Sequence, residues 1–420
     1  MDKASLESFG FNSLKYRASK KSFFLSELLF KSAIFLMFLK SLNAWFTWNW
    51  AILPISGISI LCCLPYLVNE RTKFRFDYLG CVIPIALLII VQIYLYVDWQ
   101  NININGIIGA ILPIVPVSFV ILADDEIKLK LLDYFTRGMA LIIAVSLLIW
   151  IVLLVGISLP NFGIISNISW DQYVYYNYFL CLRGVHLYSN RFHSIFLEPG
   201  HVGMICSFLL LANRFNIKRS SVVILLISVL FTLSLAAYLL VSIAFLLYSL
   251  FYLRKRIGSI LLLSAVVIIG YLFFANYNDG RNVINEKIIQ RLQYDKSKGD
   301  IAGNNRFTGK LEDFYTVFIN RDEVWFGIGE KKYTNMNFGP NAGYKVFIVK
   351  NGLIVTYLVC LLYIFLLFKT KKKLLFLMLV LYIIAFIQRA YPLWDCELLI
   401  FITTGVFQPI IKLNLQLSKI

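Results

Sequence analysis

Apolar runs long enough to cross a bilayer follow one another almost from end to end of this chain, separated by short polar loops. Hydrocarbon offers backbone N–H and C=O groups no partner, so a spanning segment has to satisfy them internally, as a helix or in a closed barrel. Runs of about 20 residues match the rise of a helix rather than that of a strand. Twelve segments are predicted, at 23–39, 51–68, 78–97, 104–123, 139–159, 195–212, 221–233, 235–253, 257–275, 346–368, 374–387 and 396–411. The stretch 220–252 is too long for one span and short for two, and it is read as two abbreviated helices meeting at Leu233.

The expected fold is therefore an all-α polytopic membrane protein of about 12 transmembrane helices with two long outer-face loops. Its parts are a cytoplasmic N-terminus 1–22, helices one to five in 23–159, a first long loop 160–194, helices six to nine in 195–275, a second long loop 276–345, helices ten to twelve in 346–411, and a cytoplasmic C-terminus 412–420. Composition agrees: 59% of the 420 residues are hydrophobic and 15% charged, a balance that a water-soluble domain could hardly hide in one core. The first apolar run has no small-residue cleavage site after it and reads as a retained anchor.

Orientation follows from Lys/Arg, which concentrate in cytoplasmic loops. Every other loop is basic, from Arg71, Lys73 and Arg75 through Arg214, Lys218 and Arg219 to Lys369–Lys373, and 23 of the 40 Lys/Arg fall on that one face. Both termini are placed inside. The formal net charge of +17 then reflects topology, and nucleic acid is not expected as a partner. Asp124, Asp125 and Glu126 read as loop charge on the cytoplasmic side. No metal or cofactor is expected, and the seven cysteines, mostly in or beside apolar segments, suggest no disulfide framework.

The second long loop carries 11 Lys/Arg and nine acids, and long loops are largely exempt from the charge rule. Its apolar residues recur at helical spacing, Leu311, Phe314, Tyr315, Phe318 and Ile319, with a second set at Ile284, Ile288 and Leu292, so a small helical cap is predicted. The first long loop is aromatic. Tyr173 and Tyr176 are candidate sugar contacts, although anchoring at the headgroup level suits most of these rings as well.

That loop runs into the densest polar cluster beside any span, Arg191-Phe-His193-Ser-Ile-Phe-Leu-Glu198-Pro199-Gly200-His201-Val-Gly203, and all three histidines lie in or next to it. Pro199 suits a first helical turn, with Glu198 at or near the N-cap. A helix N-terminus facing outward favours an anion such as a diphosphate, and Arg183 and Arg191 add charge-assisted donors. Plain capping by Glu198, packed histidines and lipid-phosphate contact by the arginines are the simpler readings of each residue alone.

The run Arg191–Gly203, with Phe196-Leu-Glu198-Pro199-Gly200, resembles the signature of bacterial Wzy-type O-antigen and capsular polysaccharide polymerases and the related O-antigen ligases. Asn305-Arg306, a following amphipathic helix, Phe326-Gly-Ile-Gly329 and Asn351-Gly352 are similar to further elements of that superfamily, in the same order. The resemblance implies joining of undecaprenyl-diphosphate-linked oligosaccharide units at the outer face of the bacterial inner membrane, with lipid-linked donor and acceptor and a chain-length regulator as partner. Carried over, Arg191 and Arg306 hold the diphosphate, assisted by Arg183, and Glu198 lies near the reacting sugar. Glu198 is the first choice for general base and His201 the second, with His193 and Asn341 as sugar contacts. Ligases of the superfamily carry a His where Asn341 stands, which favours polymerase over ligase. A lipid-linked-oligosaccharide flippase or carrier is the rival from another class, against which stands the lack of any related-halves repeat.

Overall fold

The structure, a computed structural model, describes residues 3–405 apart from 50–51, 70–71, 73, 75–77, 98–103, 168–169, 186–189, 254–255, 283, 296–299, 302–306, 340, 369–372 and 390. It is a helical protein. Among the described residues, six helices are long and apolar enough to cross a membrane (Ser22–Ser41, Tyr78–Tyr96, Ile104–Leu122, Asp125–Leu154, Leu235–Tyr252 and Tyr344–Phe368), and four shorter apolar helices accompany them.

In chain order, α1 (Lys3–Ser41) packs against α2 (Ile52–Leu67), and α3 (Ile83–Tyr96) follows a π-turn at Tyr78–Val82. The fourth apolar run is broken into α4 (Ile104–Ile111) and α5 (Ile114–Leu122) around Pro113, which lacks an N–H and disfavours helix at the residue before it. The helix α6 (Asp125–Leu154) begins well before the expected span. Asp124 is its N-cap, accepting from the Ile127 amide at 2.9 Å, and Asp125 and Glu126 fill its first turn. The acidic run read as loop charge is thus a helix start, where the positive dipole end favours carboxylates, and Lys128, Lys130 and Arg137 ride on the helix rather than in a loop.

The first long loop differs most from expectation. It forms a three-stranded antiparallel sheet, β1 (Ile164–Asn167), β2 (Trp170–Asn177) and β3 (Leu182–Gly184), in the order β1-β2-β3. Along β2 the buried residues alternate, Tyr173, Tyr175 and Asn177 on one face and Val174 and Tyr176 on the other. The Tyr175 hydroxyl donates to the Leu197 carbonyl, and the Leu182 amide donates to the Ser194 carbonyl at 2.8 Å, so the sheet is fastened to the segment leading into the next helix.

That helix, α7 (Pro199–Ala212), is buried along almost its whole length among α8 (Ser220–Phe231), α9 (Leu235–Tyr252), α15 (Lys373–Gln388) and α16 (Asp395–Thr404). The break between α8 and α9 falls where it was expected, with Leu233 at φ 46°. Two of the carbonyls freed there are satisfied from the Arg191 segment: the Phe192 amide donates to the Phe231 carbonyl at 3.0 Å and Arg191 Nε to the Thr232 carbonyl at 2.9 Å.

Beyond α10 (Arg256–Asn276), the second long loop holds a π-turn at Asn285–Ile289 running into α11 (Gln290–Leu292), a two-stranded hairpin of β4 (Tyr294–Asp295) and β5 (Asp300–Ile301), then α12 (Gly309–Phe318) and α13 (Glu330–Asn335). Leu311 and Phe318 are buried as the periodicity predicts, in a small core shared with Val324, Phe338 and Val349. Val349 belongs to α14 (Tyr344–Phe368), so the cap is built on the top of that helix. The junction is made by main chain. Gly352 interrupts α14 at φ 81°, and the Ile328 and Gly329 amides donate to the Val349 and Lys350 carbonyls at 2.8 and 2.9 Å. A Cβ on Gly327 would lie 2.4 Å from the Lys350 carbonyl oxygen, and one on Gly352 2.4 Å from that of Trp325, so the two glycine motifs interlock backbone on backbone.

Candidate functional site

Glu198 ends an extended segment (φ −136°, ψ 148°) and stands at the N-cap of α7, with Pro199 opening the helix. Its carboxylate does not cap. Oε1 accepts from the Tyr173 hydroxyl at 3.1 Å, and Oε2 accepts from Arg389 Nη2 at 2.6 Å. The sheet supplies the tyrosine and the α15–α16 connection supplies the guanidinium, so three parts of the chain distant in sequence meet on one carboxylate. Gly200 makes room for this: a Cβ there would lie 2.5 Å from Arg389 Nη2.

The pair is well shielded, with side-chain exposures of 13% for Arg389 and 20% for Glu198. Burial alone would raise the Glu198 carboxyl, but the Arg389 and His201 charges and the bonds from Arg389 and Tyr173 outweigh it and bring the group down to about 2. Glu198 is an ionised, fully engaged carboxylate in this arrangement and a weak base while Arg389 holds it.

The histidines flank it. His193 is fully buried with its ring 5.1 Å from Tyr175, and burial pushes it down to about 4. As a neutral ring it donates through Nδ1 to the Phe196 carbonyl at 2.8 Å, which fixes its tautomer. That contact braces the turn before Glu198. His201, 3% exposed in the first turn of α7, lies edge-on to Trp394 with centroids 5.0 Å apart, and its Nδ1 has no hydrogen-bond partner among the described residues.

Arg389 also lines a cavity of about 400 Å³ between α3, the end of the cap, the start of α14 and the α15–α16 connection. Lys350, Asn341, Asn351, Tyr391 and Trp394 lie on its walls, an assembly of cations, amides and flat rings. Lys350 pairs with Glu330 at 2.8 Å. Asn341 is engaged in the cap as well: its Oδ1 accepts from the Thr308 amide at 2.6 Å, and its Nδ2 donates to the Phe338 and Gly339 carbonyls, both at 3.0 Å.

The remaining expected residues divide. Arg191 is turned toward the α8–α9 break and is not on the wall of this cavity. Arg183 lies on β3 opposite Tyr176 of β2. Arg306 and His186 are outside the described residues, so no geometry attaches to the expected meeting of Arg191 with Arg306. Among the described residues, no group of three or more His, Cys, Asp or Glu has metal-binding geometry.

Sequence reasoning missed Arg389. Its one signal is a guanidinium standing alone in a short loop between two apolar runs, where retaining a charge calls for a partner. Comparison with protein-family models, with curated proteins and with solved structures finds no match for this chain.

Proposed function

We propose that the chain is a membrane glycosyltransferase that joins undecaprenyl-diphosphate-linked oligosaccharide units into a surface polysaccharide, a polymerase of the Wzy type, at the outer face of the bacterial inner membrane. In this reading it spans twelve times with both termini in the cytoplasm, and the sheet, cap and cavity face outward. The observation that carries it is Arg389, a shielded guanidinium that bonds Glu198 and at the same time lines a cavity with a lysine, two asparagines and aromatic rings.

The chemistry needs little covalent assistance. The acceptor hydroxyl oxygen attacks the anomeric carbon, the bond from that carbon to the diphosphate oxygen breaks, and the diphosphate leaves with the electron pair. Positioning and charge stabilisation supply most of the acceleration. A guanidinium matches two phosphate oxygens at once. When the diphosphate takes Arg389, Glu198 loses its strongest partner and its basicity rises, so the carboxylate becomes able to accept the hydroxyl proton only with donor in place. Arg191 and Arg306 are proposed to hold the rest of the diphosphate, and Tyr391 and Trp394 offer faces on which sugars stack.

The test is the glycan ladder of cells lacking the gene, complemented with Glu198→Gln and Arg389→Lys. A collapse to core plus a single repeat unit, restored by wild type and by neither variant, supports the polymerase. Loss of all surface repeats with long polymer still made on the carrier indicates a ligase, and single units accumulating on the inner leaflet indicate a flippase. Labelling of introduced cysteines with an impermeant reagent checks the orientation: positions 298 and 331 should react from outside and positions 255 and 371 should not.

A further inference from the structure

The far end of α7 carries a second cavity, of about 480 Å³, where the C-terminus of the helix meets α6, α9, α15 and α16. The 14 residues of α7 put it roughly 20 Å from Glu198. Its walls hold three cations, Arg214, Lys218 and Arg219, against one carboxylate, Asp133.

That carboxylate is already engaged, since Asp133 bonds Arg219 and pairs with Arg137 at 2.8 Å. Arg219 is further fixed by donation from Nη1 to Asn213 Oδ1 at 2.8 Å, and Asn213 donates in turn to Thr136 Oγ1 at 2.8 Å. Arg219 is thus locked, and the cavity walls keep a net charge of +2. A helix C-terminus favours a nearby cation, which accounts for Arg214 but not for Lys218 as well. The loop between α7 and α8 presents them at a cost: Arg214 and Phe215 take φ of 56° and 50°, a region that side chains with a Cβ occupy only when the surroundings impose it.

A second observation points at the same space. Thr404 lines the cavity and is 4% exposed, yet its Oγ1 has no hydrogen-bond partner among the described residues. A buried hydroxyl in that state costs free energy unless something accepts from it. Next to the cations the cavity lining turns apolar, at Phe215, Phe245 and Leu253, and Ile217 beside Lys218 is 67% exposed.

We propose that this cavity binds the phosphate of an anionic phospholipid headgroup, with Arg214 and Lys218 supplying charge, the Thr404 hydroxyl donating a hydrogen bond, and the acyl chains lying over Ile217 and the apolar lining at Phe245 and Leu253. Basic pockets between transmembrane helices are suited to such headgroups. The apolar rim favours a lipid over a free phosphate ion, which has nothing to gain from it.

Thermal unfolding of the full-length protein in phosphatidylcholine nanodiscs, titrated with phosphatidylglycerol or cardiolipin, tests the site. The anionic lipids should raise the unfolding temperature saturably. Arg214→Gln/Lys218→Gln should weaken the apparent affinity about tenfold or more, and Thr404→Val by a few fold, with the unfolding temperature in phosphatidylcholine alone reporting whether each variant folds. A Lys310→Ala/Lys332→Ala variant removes equal charge from the cap and should titrate as wild type. Equal stabilisation by inorganic phosphate alone, by added phosphatidylcholine, or an equal loss in the cap variant would overturn the proposal. So would an unchanged titration in a folded Arg214→Gln/Lys218→Gln protein.

Discussion

Removal of the Arg389 guanidinium should uncover how strongly it holds Glu198. The carboxyl is brought from an ordinary 4.5 to about 2 although burial alone acts in the opposite direction. At 1.36 kcal/mol per unit, that depression corresponds to about 3 kcal/mol. The figure agrees with the roughly 3–5 kcal/mol lost when one member of a buried pair is deleted. Arg389→Met should therefore destabilise the protein by about 3 kcal/mol at neutral pH, and Glu198→Gln/Arg389→Met should be less destabilised than the single effects added together. The pH dependence has a definite sign. A depressed carboxyl contributes stability that is complete above about 4.5 and fades as the pH falls toward 2, so the wild-type pair should be insensitive between pH 7 and 5. Without Arg389, burial raises the Glu198 carboxyl, and protonation then relieves the variant, whose deficit should shrink as the pH falls. Thermal unfolding of the four proteins of the cycle in one detergent, from pH 7 to 4, measures both quantities. A coupling below about 0.5 kcal/mol, or a deficit that widens on acidification, would refute the account.

Gly200→Ala should swing Arg389 aside, because the new Cβ falls 2.5 Å from Nη2 at the end of a flexible side chain; the expected outcome is a folded, membrane-inserted protein that no longer restores the glycan ladder. Gly352→Ala combines a φ of 81° with a Cβ 2.4 Å from the Trp325 carbonyl, and should cost about 1–3 kcal/mol and speed proteolysis within 276–345 while α7 stays protected. Leu311→Ala, at a fully buried position in the cap core, should cost about 2–5 kcal/mol, read as faster hydrogen exchange in α12.

The helices were legible because hydrocarbon admits few solutions: apolar runs of the right length have to be helical, and even the interruption at Leu233 could be placed from length alone. Where the reading departed from the structure, local signals had been overruled by a stronger one. Asp124-Asp125-Glu126 carries an N-cap signature, but its place between two apolar runs equally suits loop charge. The alternation of Tyr173 and Tyr175 with Val174 and Tyr176 is a strand signature, masked by the aromatic density that suggested an interfacial belt. At the candidate site, Pro199 marked the start of α7 and Glu198 its edge. What no local pattern contains is the partner 191 residues away, since the meeting of Glu198 with Arg389 depends on how α7, α15 and the sheet pack. Arg191 shows the converse: its charge points to a ligand, and no local pattern contains the second duty of its Nε, which serves a carbonyl released by the break after α8.

The joint between Phe326–Gly329 and Gly352 consists of amides and carbonyls, which every residue type but proline provides, and the glycines contribute only the absence of a side chain. A fastening of that kind places no demand on the chemistry of its neighbours. Residues around it can be exchanged for others of quite different character, and the cap surface can be redrawn, while the attachment to α14 keeps its geometry. Three small residues and the spacing between them are the whole of its written record, so two proteins could share the joint while having little else in their sequences in common.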